Sequence, residues 1–176
     1  MCFNCRAREA GVLLLNEIGL DPGLDHLTAC QVFDEVKSGG GIIKSFTSWC
    51  GGLPAPEISN NPLGYKFSWS PRGVLLAGLN GAEFKRDKKI FRIEPGTLLS
   101  HAVDVPIFKG FAFEGLANRN SLQYVDEYQL GNLMDVDTMF RGTLRYKGYS
   151  ELMNAFVRLG FMDDLKKIRG KSWVLC

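Results

Sequence analysis

Apolar runs and helix-spaced apolar positions take turns along the chain, with glycine-rich breaks between them. Gly11 to Leu15 is a continuous apolar run and reads as a buried strand. It leads into a loop, Asn16 to Gly23. Leu24, Leu27, Val32, Phe33 and Val36 then keep roughly helical spacing, which predicts a helix from about Leu24 to Val36, stopped by Gly39-Gly40-Gly41. Ile42 to Trp49 is β-rich, and Cys50 to Gly64, with its prolines, glycines and Ser-Asn-Asn cluster, reads as a long loop of the kind that often carries function. A helix is expected from Arg72 to about Phe84, a strand over Lys89–Ile93, a short helix over Thr97–Val103, a strand over Phe111–Leu116 and a helix over Leu122–Tyr128. Met139 to Tyr146 alternates: Phe140, Leu144 and Tyr146 on one side, Arg141, Thr143 and Arg145 on the other, a half-buried strand with a polar functional or solvent face. Ser150 is placed to N-cap a helix ending at Leu159, with Gly160 at its C-terminal cap. The tail from Asp163 is charged. Interleaved strands and helices make the class mixed α and β.

Composition narrows the function classes. The 176 residues suffice for one medium domain or two small lobes, and 20 glycines forecast tight turns or close backbone approaches. Twenty-one Lys and Arg against 19 Asp and Glu leave a net charge of +2, which disfavours nucleic acid as a partner. No apolar run approaches the roughly 20 residues of a membrane span, and the first residues do not look like a secretory signal. Five cysteines, at 2, 5, 30, 50 and 176, argue against a disulfide framework and for a reducing, cytoplasmic compartment. Cys2 and Cys5 form a lone CxxC with no second pair, so no metal site is expected.

Candidate chemistry is sparse. A dinucleotide fold announces itself by a GxGxxG turn after its first strand. The nearest feature is Gly39-Gly40-Gly41, which follows a helix and reads as its stop. Cys50 stands at a strand end beside Gly51 and Gly52, where a thiol is either catalytic or a small residue in a tight turn. A hydrolase built on Cys50 would need His26 or His101, the two histidines of the chain. Asp21 faces a ligand or merely forms a turn. Arg119, within Asn118-Arg119-Asn120-Ser121, suits a carboxylate bidentately or is a surface arginine. Arg141 and Arg145 share a strand face that can bind an anion or be solvated.

Four blocks give a firmer lead. Asn16 to His26, Trp49 to Glu57, Asn61 to Leu75 and Arg141 to Tyr149 together resemble the glutamate-forming saccharopine dehydrogenases, in that family's order. The resemblance runs from about Ala7 to about Asp163, and Gly110 to Phe113 leans toward fungal members. The resemblance implies an NADP-dependent oxidoreductase of lysine metabolism. It joins glutamate to α-aminoadipate δ-semialdehyde as an imine and reduces the imine to saccharopine, or runs the reverse. It implies a Rossmann domain with an inserted α/β domain that holds substrate and dimerises. Residues 1–23 would be a remnant of the Rossmann lobe, 24–162 the substrate-binding and dimerisation domain, and 163–176 an unmatched tail. Asp21, Cys50, Arg119, Arg141, Gly142 and Thr143 match saccharopine-contacting positions, with Asp21 and Cys50 the candidates for proton transfer. Leu20, Asp21, Pro22 and Trp69 match positions near the nicotinamide. The implied partners are saccharopine, glutamate and the semialdehyde, in a homodimer or paired with a full-length subunit. The family's glycine fingerprint would precede residue 1, which leaves a non-catalytic binding or interaction module as the alternative. The family's Tyr-Pro-Asn-Arg-Asp-Ser pattern is here Leu116-Ala117-Asn118-Arg119-Asn120-Ser121, so the arginine keeps its place while its proline and acidic neighbours are gone.

Overall fold

The computed structural model describes residues 3–15 and 18–163. Cys2, Asn16, Glu17 and the charged tail beyond Asp163 lie outside the described residues. The chain divides into two compact units, Met1–Ile43 and Lys44–Cys176.

Among its described residues the first unit carries two helices, α1 (Phe3–Glu9) and α2 (Leu24–Ser38). The helix expected from Leu24 forms and runs two residues longer than its spacing predicted. Its stop is the glycine triplet: the amides of Gly39, Gly40 and Gly41 donate to the carbonyls of Glu35, Lys37 and Val36. The strand expected over Gly11–Leu15 does not form. Val12 to Leu15 are exposed and have no ladder partner among the described residues, and a strand needs a neighbour to satisfy its backbone. The apolar spacing of α2 is likewise not a buried face: Ala29 and Phe33 are buried, but Leu24, Leu27 and Val32 are exposed.

The second unit is a six-stranded mixed sheet. Its strands are β1 (Ser45–Cys50), β2 (Ala82–Arg86), β3 (Lys89–Ile93), β4 (Val103–Asp104), β5 (Phe113–Ala117) and β6 (Thr138–Tyr146). The order is β3-β2-β6-β5-β4, and β1 adds in parallel to β6 over its whole length. Among the described residues, four short helical segments and one longer helix accompany the sheet: a 3-10 turn at Pro56–Ile58, α3 (Pro71–Ala77), a 3-10 turn at Leu98–His101, α4 (Tyr124–Glu127) and α5 (Tyr149–Leu159). The main core gathers Tyr65, Val74, Phe84, Leu98, Leu99, Leu116, Phe140, Tyr149 and Met153.

Several boundaries move. The helix expected over Arg72–Phe84 ends at Ala77, and Ala82–Arg86 is β2. Gly78 caps α3, and Asp87 and Lys88, both left-handed, turn β2 back on β3 as a two-residue hairpin. Asp-Lys is not the usual composition of such a turn, which is why the hairpin was illegible. The strand of 42–49 begins only at Ser45, and the helix of 97–103 is a single 3-10 turn. Ser150 is not the N-cap of α5. Gly148 holds that position, and the buried Glu114 carboxylate of β5 accepts from the amides of Gly148 (2.9 Å) and Ser150 (2.6 Å). A side chain from a neighbouring strand thus does the capping that the local sequence assigned to Ser150.

Candidate functional site

The parallel pairing of β1 with β6 builds the centre of the site. Its register sets Ser48 opposite Arg141, Trp49 opposite Gly142 and Cys50 opposite Thr143. On the other edge of β6, β5 pairs Leu116 with Thr143 and Ala117 with Gly142. Four of the expected site residues, Cys50, Arg141, Gly142 and Thr143, are therefore neighbours by strand pairing alone.

Where β5 ends, the chain does not leave the sheet. Asn118 to Ser121 runs on from β5 toward β2 and is tied to β6 and to β2. The Asn118 amide donates to the Arg141 carbonyl (2.9 Å) and the Arg141 amide donates to the Ser121 hydroxyl (3.0 Å). Glu83 exchanges two bonds with the same segment: its amide reaches the Arg119 carbonyl (2.6 Å), and its carbonyl accepts from the Ser121 amide (2.8 Å). Thr143 Oγ1 donates to Asn118 Oδ1. Asn118 and Ser121, the latter fully buried, are contributors that the sequence did not single out as site residues. Their partners lie 20 to 25 residues away, and no local spacing signals that.

The two arginines differ. Arg141 is 5% exposed, and its guanidinium lies 4.4 Å from the Tyr124 ring centroid. The alternating face of β6 is thus not a solvated one: α4 covers Arg141, a cation held on an aromatic face. Arg119 is exposed, and its guanidinium has no hydrogen bond or ion pair among the described residues. It lines a cavity of about 290 Å³ together with Glu83, Arg92, Ile93, Glu94 and Asn120.

Gly142 serves the packing. A Cβ there would stand 2.4 Å from the Trp49 ring, and one at Gly115 on the next strand would stand 2.3 Å from it. The indole lies across both glycines and against Phe140 (4.8 Å between centroids). Trp69 is different again, 69% exposed just before α3. Its neighbours explain part of the Phe-Ser-Trp-Ser-Pro-Arg block: Ser70 caps α3 by accepting from the Gly73 amide (3.1 Å), and Pro71 opens the helix. Asn61 organises the preceding loop, bonding the Leu63 amide and the Tyr65 carbonyl and so delivering Tyr65 to the core.

Leu20, Asp21 and Pro22 belong to the first unit. They form an exposed tight loop closed by the Gly19 amide donating to the Pro22 carbonyl (3.0 Å), and Leu24 and Asp25 return bonds to Gly19 and Leu20. Asp21 sits at the entrance to α2 rather than at the end of a formed strand. His101 is on a 3-10 turn with Nδ1 2.9 Å from the Thr97 carbonyl.

Neither Gly39 to Gly41 nor Gly23 forms a pyrophosphate cradle. The three amides of Gly39 to Gly41 are spent on helix carbonyls, and the Gly23 amide is spent on the Asp25 carboxylate (2.9 Å). A cradle needs those amides pointing at phosphate.

One titration is perturbed nearby. Burial pushes the Tyr149 phenol upward, against the pull of the Arg145 guanidinium, which lies 5.3 Å from the Tyr149 ring and 4.7 Å from that of Tyr65.

Comparison with known proteins agrees with these blocks. The description of the saccharopine dehydrogenase C-terminal domain matches residues 19–174. The chain is 49% identical over 158 residues to saccharopine dehydrogenase (NADP(+), L-glutamate-forming) of Pyricularia oryzae, covering 90% of this chain and 34% of that protein. It is 44% identical over 161 residues to the α-aminoadipic semialdehyde synthase of Arabidopsis thaliana, covering 15% of it. Among solved structures, apo saccharopine dehydrogenase (L-Glu forming) from Saccharomyces cerevisiae superposes with a TM-score of 0.79 at 49% identity, over 89% of this chain and 34% of that one. The chain therefore spans about a third of the length of the fungal relatives it matches.

Proposed function

The chain belongs to the saccharopine dehydrogenase C-terminal domain family, and from that premise we propose that it supplies the substrate side of an NADP-dependent reductive joining of glutamate and α-aminoadipate δ-semialdehyde to saccharopine, or of its reverse. The observation that carries the reading is the convergence of Cys50, Thr143 and Asn118, with the exposed Arg119 next on the same turn and its guanidinium without a hydrogen bond or ion pair among the described residues. Saccharopine carries three carboxylates, and an exposed guanidinium suits one of them bidentately. Asn118 and Thr143 offer further hydrogen bonds. Arg141 and Gly142 shape this floor from within β6.

In this reading Asp21 and Cys50 are the candidates to move protons as the imine forms or is hydrolysed. Leu20, Asp21, Pro22 and Trp69 are the candidates for contact with the nicotinamide end of the cofactor. The amides of Gly39 to Gly41 are spent on helix carbonyls, so this triplet does not hold the cofactor's phosphates, and in this reading the isolated chain should not turn over with NADPH. We further assign residues 1–23 to the cofactor lobe and 24–162 to substrate binding and dimerisation. A homodimer, or pairing with a full-length subunit, in the cytoplasm completes the proposal.

The test is a saccharopine titration of the purified chain, followed by tryptophan emission, with and without NADPH. Trp49 sits opposite Gly142 and should report occupancy. A saturable change is expected with saccharopine and none with NADPH. Arg119→Ala should weaken saccharopine binding by about tenfold or more, the scale of a lost charge-assisted bond. Silence toward saccharopine overturns the reading, and NADPH-dependent saccharopine formation by the chain alone overturns the assignment of the phosphates elsewhere. The same spent amides favour one rival, a binding module without catalysis that pairs with a full-length subunit. Co-purification with such a subunit, without turnover by the chain, would select it.

A further inference from the structure

Arg141 is engaged from two directions. Its backbone fastens the turn that follows β5: the Asn118 amide donates to its carbonyl (2.9 Å), and its own amide donates to the Ser121 hydroxyl (3.0 Å). Its guanidinium lies over the Tyr124 ring, 4.4 Å from the centroid, and the residue is buried. Tyr124 opens α4, and its amide donates back to the Ser121 carbonyl (3.3 Å). The turn and the helix after it are therefore anchored on one arginine, the turn through its backbone and the helix through its side chain.

The aromatic contact continues beyond Tyr124. The Tyr124 ring stacks on Tyr128 (5.4 Å between centroids, 30° between planes), and Tyr128 meets Phe46 edge-on (5.5 Å, 78°). Tyr128 is buried, and Phe46 stands on β1, the strand that ends at Cys50. A row of three rings thus runs from β1 to the Arg141 guanidinium on β6. A buried cation needs compensation, and a π face supplies part of it. A ring held by a second ring keeps its orientation.

We propose that Tyr124 is a positioning residue: by seating the Arg141 guanidinium it holds the Asn118–Ser121 turn against β6, and so sets Asn118 against Thr143. Tyr124 itself touches no ligand. The proposal rests on the substrate-side role given above and deepens it, because the Arg141 side chain then acts as a support for the site and not as a ligand contact. The seating needs a flat π face and not the phenol hydroxyl. Phenylalanine preserves it; leucine fills much of the space but offers the guanidinium no π face.

The test uses the full chain and three variants: Tyr124→Phe, Tyr124→Leu and Met153→Ala, the last a truncation in the main core away from this row. Amide hydrogen exchange is read first, without ligand. Tyr124→Leu should speed exchange at Asn118 and Arg141 by about fivefold or more, the scale of one lost cation–π contact, and leave Val105, whose amide bonds the Phe113 carbonyl, within about twofold. Tyr124→Phe should keep all three within about twofold of the wild-type chain. Saccharopine titration by tryptophan emission is read second. The dissociation constant should rise about fivefold or more in Tyr124→Leu and stay within about twofold in Tyr124→Phe and Met153→Ala, although Met153→Ala loses stability. Unchanged exchange at Asn118 and Arg141 in Tyr124→Leu overturns the proposal, and so does an equal effect in Tyr124→Phe. A loss of affinity in Met153→Ala as large as that in Tyr124→Leu would reduce Tyr124 to general packing and overturn it as well. Silence of the wild-type chain toward saccharopine overturns the substrate reading, while the exchange result still decides whether Tyr124 holds the turn. If Tyr124→Leu does not fold, Arg141→Lys, which keeps the charge and loses the planar guanidinium, takes its place with the same expected and overturning results.

Discussion

In the sheet unit Met139 and Val136 are completely buried, whereas in residues 3–43 Leu13 is 81% exposed and Leu15, Leu20 and Leu27 are each 65% exposed. The two regions are similarly rich in apolar residues, so composition does not set the difference. The sheet unit buries its apolar positions through pairings between distant residues: Ser45 with Thr138, Phe113 with Tyr146. The N-terminal unit has helices and tight loops whose hydrogen bonds are local. Burial follows from long-range partners, and a run such as Val12 to Leu15 stays exposed when no strand lies beside it.

Mutations can break that contrast. The largest effect is expected from Phe140→Ala, which removes a ring packed between Trp49 and Phe84. It should cost about 3–5 kcal/mol, read by urea unfolding, and a loss under about 1 kcal/mol would show that the sheet core is not where stability resides. Gly115→Val comes next. Its side chain would collide with Trp49 and Val105, and overpacking of this kind costs about 1–3 kcal/mol. Glu114→Ala strips two amides at the start of α5 of their acceptor. A loss of about 1–3 kcal/mol is expected, with Glu114→Gln retaining part of it, because one amide oxygen still accepts. By contrast Leu13→Ser in the N-terminal unit should change stability by no more than about 0.5 kcal/mol while raising solubility. A loss above about 2 kcal/mol would mean that the exposed run is buried in solution. The smallest effect is a pH dependence. Tyr149 keeps its proton to higher pH in the folded chain than in the unfolded one. The unfolded chain therefore loses this proton first, and stability should fall as pH rises above the ordinary tyrosine value of about 10. Tyr149→Phe should flatten that slope, and an unchanged slope would assign it to another group.

The same contrast explains what could be seen in the sequence. Lys89–Ile93 was legible to the residue, and the helix from Leu24 and the strand ending at Tyr146 were legible to within two residues, because each is signalled by its own periodicity. The four sequence blocks identified the family. β2 was hidden, since its five residues depend on a hairpin with an unusual turn and on β6 beyond it. The cap of α5 was misassigned to Ser150 because Glu114 lies 36 residues away. At the site, Arg119 was visible as a residue but not as a guanidinium without a hydrogen bond or ion pair among the described residues. Asn118 and Ser121 acquire their roles only when β5 and β6 pair.

The Asn118–Ser121 turn has a dynamic consequence. Ligand-contacting loops usually belong to the least stable parts of a protein and open independently of it. This turn is stitched to β6 at Arg141 and to β2 at Glu83 by four hydrogen bonds that occupy the seam where two strands would otherwise meet. It cannot swing out without unzipping both neighbours. Its amide protons at Asn118 and Ser121 should therefore exchange with solvent as slowly as those of the central strand. In the role proposed for it, a turn with that property would behave as part of the frame, its selectivity set by what fits it rather than by what it closes upon.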